Sequence, residues 1–177
     1  MDEHVTVVAG IVIPSVSPVF LSIVALHIGV ALVAVVAGLI AMLSPKRAGR
    51  HSRCGKVYFW SLVGVFGSAS VLSFMRWAEN YPLFIIGTCA FATALVARTA
   101  VRARWRVWPR IHLIGMGSSY VLLLIAFYVD NGKNLPLWRD LPPVSYWAIP
   151  IAIGIPLILR ALLRHPLTRF KQADLQT

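Results

Sequence analysis

Acidic residues are scarce in this chain. Only 6 of its 177 residues are Asp or Glu, and none lies inside a long apolar run. Paired carboxylates that divide acid and base roles are therefore missing, and with them the usual machinery of hydrolysis. Cysteine is almost as rare, at 2 residues. Cys54 belongs to a basic loop and Cys89 to the middle of an apolar run, depths too different for a disulfide. No CxxC zinc spacing, GxSxG, HExxH or Walker-type stretch occurs. Neither an internal repeat nor an inverted pair of interrupted helices is visible, which counts against an alternating-access carrier. The apolar runs hold too few charges for an ion path.

What the chain has is apolar length. Hydrophobic residues make up 58% and charged residues 13%, against roughly 25% charged in an ordinary soluble domain, and the mean hydropathy is +0.75. A bilayer crossing needs about 20 mostly apolar residues in helical form. Runs of that kind cover 19–43, interrupted by His27, then 57–75, 81–97, 111–129 with His112 near its start, and 144–163 with Arg160 near its end. In lipid each backbone donor must find its acceptor within the structure, and runs of this length do so as helices. The fold class expected is all-α, an integral membrane helical bundle of five transmembrane helices in a single domain over 1–177. Residues 1–16 begin acidic, carry no basic region ahead of the apolar stretch and hold Pro14. They are expected to be retained as a short segment on the outer face that does not span.

Basic residues set the orientation, because Lys and Arg in short loops stay in the cytoplasm. One loop holds Lys46, Arg47, Arg50, Arg53 and Lys56, another Arg98, Arg102, Arg104, Arg106 and Arg110. Arg160, Arg164, Arg169 and Lys171 close the chain in a basic tail over 164–177. Only Arg76, Lys133 and Arg139 remain for the other side, where Asp2, Glu3, Glu79, Asp130 and Asp140 collect and offer them ion pairs. This places the N-terminus outside and the C-terminus in the cytoplasm, in a plasma (inner) membrane. The formal net charge of +11 then reads as topology plus attraction to anionic lipids on the cytoplasmic side, with no nucleic acid as partner. Aromatics agree. Tyr58, Trp60, Trp105 and Trp108 fall near inner ends, Trp77, Tyr81, Tyr128, Trp138, Tyr146 and Trp147 near outer ends, and Tyr120 alone lies deep. The outer loop 130–143 reads either as a lid or as a rigid connector.

Small residues spaced four apart, Ala34 with Gly38, Gly64 with Ser68 and Gly115 with Ser119, predict close helix approach. Pro150 and Pro156 predict a kink or a broken segment in the last span. Histidine carries the remaining chemistry, since an ionisable ring within a span is a site hypothesis by default and imidazole is a common metal and haem ligand. His27 stands beside a strip of Ala31, Ala34 and Gly38, and His112 beside Gly115 and Ser119. Either strip could accommodate a flat macrocycle or seat another helix. His27 should lie roughly 15 to 20 Å from His112 along the membrane normal, so the two cannot share one iron. His51 and His112 lie at equal depth among Arg50, Arg53 and Arg110, a cluster suited to propionates or to an anionic headgroup. The plain alternative is that each ring satisfies a hydrogen bond to backbone, lipid or a hydroxyl.

The segment HSRCGKVY, His51 to Tyr58, resembles the HRxxGxxY signature of a bacterial family of predicted multi-pass membrane proteins classed as a domain of unknown function. Ser52 stands where the signature has arginine, and the positive charge moves to Arg53. The resemblance covers about three quarters of the chain in layout and few residues in identity. It implies the same topology and singles out His51, Gly55, Tyr58 and His112, without implying a reaction. Two functional readings follow. One is a b-type haem or quinone-linked redox module, with His51 and His112 as axial or proton-exchanging pair and His27 as a second site. The other is a non-catalytic accessory or scaffold subunit, working with a membrane partner subunit or as a homo-oligomer.

Overall fold

The computed structural model describes residues 6–8, 11–13, 17–46 and 49–164. The expected non-spanning segment is a small hairpin in which β1 (Thr6–Val8) pairs antiparallel with β2 (Ile11–Ile13), Val7 opposite Val12. All six strand residues are β-branched, the type that favours extended backbone. Among the described residues five helices follow that are long and apolar enough to cross a membrane: α1 (Pro18–Leu43), α2 (Arg50–Met75), α3 (Trp77–Arg102), α4 (Trp108–Asn131) and α5 (Ser145–Arg164). Proline in the first turn opens α1 and α4, where the missing N–H costs nothing.

The helices outrun the apolar stretches that foretold them. α2 begins at Arg50 instead of 57, and α3 ends at Arg102 instead of 97. His51, Arg53, Cys54 and Lys56, expected in a loop, therefore stand on the first turns of α2. Lys and Arg are good helix formers whose long stems let the charge reach water from a helical position, so polarity alone does not end a helix at the interface. Gly49, with φ at 121°, supplies the left-handed turn before α2. Of the kink or broken segment expected in the last span, the break is absent, since α5 runs unbroken through both prolines. Neighbouring helices can re-satisfy backbone groups that proline frees in a membrane helix. Arg47, Arg169, Lys171, Asp2 and Glu3 lie outside the described residues.

Contacts settle the up-and-down arrangement. Arg76, the single residue between α2 and α3, lies 5.1 Å over the Phe20 ring at the start of α1. At the opposite end His51 of α2 reaches Ala41 near the end of α1, and Arg98 of α3 covers Phe59 of α2 at 4.3 Å. α1 to α4 close into a bundle, with the most extensive packing between α1 and α2 and between α3 and α4, and α5 docks on α4. One end of the bundle is consequently basic, with Lys46, Arg50, Arg53, Arg98 and Arg102. The described acids Glu79, Asp130 and Asp140 belong to the other.

The interior is built from small and hydroxylated residues. Ala34, Ala94, Ala97, Ala100 and Ser119 are fully buried, while Leu26, Leu32, Val36, Phe74, Ile153 and Leu163 face outward. This inversion of a water-soluble core suits a solvent as apolar as the side chains themselves, in which close backbone packing supplies the helix contacts. A Cβ on Gly115 would lie 2.7 Å from the Thr93 carbonyl and 2.8 Å from the Ala97 Cβ, so α3 and α4 nearly touch there. The alanines of α3, spaced as one helix face, make that approach possible, and sequence reading passed them over. Tyr58, placed by the sequence in the interfacial belt, is only 2% exposed. Its hydroxyl meets Ser119 Oγ at 2.8 Å, which allows a phenol to be buried between helices.

Candidate functional site

The basic end holds two imidazoles at the junction of three helices. His51 Nδ1 donates to the Ala41 carbonyl at 2.8 Å. That oxygen belongs to the last turn of α1, where carbonyls have no intrahelical donor. Lys46 Nζ donates to the same carbonyl at 3.1 Å and also to that of Met42, a cation placed where the helix dipole favours one. Partial burial lowers the Lys46 ammonium below its ordinary pKa. Ser44 completes the cap, its hydroxyl donating to the Ile40 carbonyl at 2.6 Å.

His112, one turn into α4, meets His51 edge-on, with ring centroids 6.3 Å apart and planes at 83°. The structure thus brings together the pair that equal depth had predicted. His112 Nδ1 is a buried side-chain nitrogen with no hydrogen-bond partner among the described residues. The His51 bond fixes its proton on Nδ1 and leaves Nε2 as a lone-pair donor, the orientation that ligating or proton-accepting histidines commonly have. Groups of three or more His, Cys, Asp or Glu suited to a metal ion are absent among the described residues.

His27 sits apart from this pair. Its Nδ1 donates to Ser68 Oγ on α2 at 2.9 Å, while the Ser68 hydroxyl itself donates to the Gly64 carbonyl at 2.8 Å. The ring is a tie between α1 and α2, the plain alternative raised above. Of the acids assigned basic partners from sequence, Glu79 pairs with Arg76 at 3.4 Å and Asp140 with Arg139 at 3.7 Å. Asp130 forms no such pair among the described residues and accepts a hydrogen bond from Asn131 Nδ2 at 3.2 Å. In the 130–143 loop Trp138 stacks on Tyr128 at 3.8 Å, and Tyr146 Oη donates to the Trp138 carbonyl at 3.4 Å. The loop is clamped to α4 and α5 as a connector.

Haem fits none of this. The strip beside His27 is occupied, since a Cβ on Gly38 would lie 2.6 Å from the Tyr120 ring and 2.9 Å from Tyr58. The strip beside His112 is closed by the Gly115 contact with α3 and by the Tyr58–Ser119 bond. Between His51 and His112 the rings already touch, at a centroid spacing typical of direct aromatic contact. Arg50 and Arg53 are exposed on the outside of α2, away from any macrocycle slot. No family model, no curated protein and no solved structure matches the chain.

Proposed function

We propose that this chain is a multi-pass inner-membrane protein, basic end in the cytoplasm, that acts as a non-catalytic accessory or scaffold subunit. One observation carries the reading: His27 and His51 each spend Nδ1 on a bond between helices, and the strips beside His27 and His112 are filled by protein. Rings used this way hold helix geometry. Kinship with the HRxxGxxY-bearing family belongs to the same proposal, and the convergence of His51, Tyr58, His112 and Ser119 on neighbouring turns of α2 and α4 supports it. The test is a visible spectrum of the detergent-purified protein, oxidised and dithionite-reduced, after expression with ample haem. A colourless preparation whose His27→Ala and His51→Ala variants lose thermal stability is expected. A Soret band abolished by both His51→Ala and His112→Ala would overturn it.

One observation favours a second reading, a quinone-linked module. With Nδ1 bonded to the Ala41 carbonyl, the Nε2 edge of half-buried His51 is left to exchange a proton with a quinone carbonyl or a hydroquinone hydroxyl. A quinone that raises the melting temperature of wild type but leaves His51→Ala unchanged would establish it. Equal shifts in both proteins would refute it.

A further inference from the structure

The outer surface of α1 and α2 carries a groove of about 430 Å³ near the basic end. Its walls are Val33, Val36 and Ile40 on α1 and Val57 on α2, and Ala37 and Cys54 form the floor. The dip exists because small residues of the two helices face each other between larger aliphatic ones. No polar side chain lines it except the thiol of Cys54. At a water-sized share of about 30 Å³ per group, the space holds roughly a dozen methylenes.

The mouth has a different chemistry. Arg50, Arg53, Cys54 and Val57 follow the spacing that places residues on one helix face, so both arginines continue the α2 face of the groove toward the basic end. Arg50 and Arg53 are exposed and form no ion pair among the described residues. Every described acid lies at the far end of the bundle, so no described carboxylate can neutralise this end. An apolar slot within the bilayer, topped at the interface by two uncompensated cations, matches an amphiphile with an anionic head and a hydrocarbon tail.

We propose that this groove is a binding site for one anionic phospholipid of the leaflet at the basic end. The phosphate pairs with Arg50 and Arg53, and an acyl chain lies over Ala37 and Cys54. Guanidinium forks suit phosphate oxygens, and a chain in the slot restores the dispersion contacts that an unfilled groove forfeits. The proposal needs only that the helices cross a membrane and is independent of the role assigned to the histidines.

Cys54 makes the groove measurable. In the full chain carrying Cys89→Ser, purified in detergent, alkylation of Cys54 by N-ethylmaleimide is timed with added phosphatidylglycerol, phosphatidylcholine or inorganic phosphate. Phosphatidylglycerol should protect at a concentration on the order of 30-fold lower than phosphatidylcholine, the preference two arginines at a membrane surface supply. Inorganic phosphate should not protect, and Arg50→Gln with Arg53→Gln should abolish the preference. Should that variant fail to fold, native mass spectrometry of the Cys89→Ser protein must find one tightly retained phosphatidylglycerol in preference to phosphatidylcholine. Equal protection by both lipids overturns the proposal, as does protection by phosphate alone. So does protection that rises with protein concentration in the absence of lipid, which would assign the groove to a second copy of the chain.

Discussion

Replacing Gly38 by alanine should destabilise the bundle, although alanine is the better helix former. The added Cβ would meet two atoms of the Tyr120 ring at 2.6 and 2.7 Å and one of the Tyr58 ring at 2.9 Å. Neither ring can swing aside freely. Tyr120 Oη donates to the Val35 carbonyl at 3.1 Å, and the Tyr58 hydroxyl is bound to Ser119 at 2.8 Å. Overpacking of this kind costs about 1 to 3 kcal/mol, and a displaced hydrogen bond about 0.5 to 1.5 kcal/mol. The helix-propensity gain of Gly to Ala offsets up to about 1 kcal/mol, leaving a net loss of about 2 kcal/mol. Gly29 and Gly67 are internal controls, because a Cβ at either meets nothing within 4 Å; Gly29→Ala and Gly67→Ala should be neutral or mildly stabilising. Unfolding free energies from titration with a denaturing detergent in mixed micelles measure all three. A second change, Tyr120→Leu, should recover part of the loss in Gly38→Ala. If Gly38→Ala matched the two controls, the tyrosines would not fill the space assigned to them and the argument against haem beside His27 would fail with them.

Other consequences can be checked with simple variants. His27→Ala and Ser68→Ala should each cost about 0.6 kcal/mol, the average for hydrogen bonds within membrane proteins, and the double variant should cost little more than either single one. His51→Ala should cost about 1 kcal/mol and Lys46→Ala a similar amount, while the pair together should exceed their sum because the Ala41 carbonyl then loses both donors. Tyr58→Phe should destabilise by about 0.5 to 1.5 kcal/mol through loss of the bond donated to Ser119, whose own hydroxyl still donates to the Met116 carbonyl, and Ser119→Ala should add little in that background; full additivity would deny the bond. In a chain with Cys54→Ser and Cys89→Ser, a membrane-impermeant maleimide applied to intact cells should label Leu137→Cys, which is exposed on the α4–α5 connection, and spare Arg104→Cys. The reverse pattern would invert the proposed topology.

The helical architecture was legible because its cause is local. Five stretches of sufficient apolar length each satisfy their own backbone as a helix, and that requirement does not depend on neighbours. Equal depth likewise paired His51 with His112, since rise per residue is the same in any helix. Helix ends were less legible, because hydropathy marks the edge of the hydrocarbon and Arg50 and Arg102 continue the helix beyond it. Only the assembled bundle decided what the histidines touch. A strip of small residues in a sequence is equally a slot for a ligand and a seat for a helix, and tyrosines distant along the chain decided for the second by filling it. Tyr58 looked interfacial because its partner, Ser119, is 61 positions away. Composition and periodicity act along one helix, whereas burial, hydrogen-bond partners and the groove beneath Arg50 and Arg53 exist only between helices.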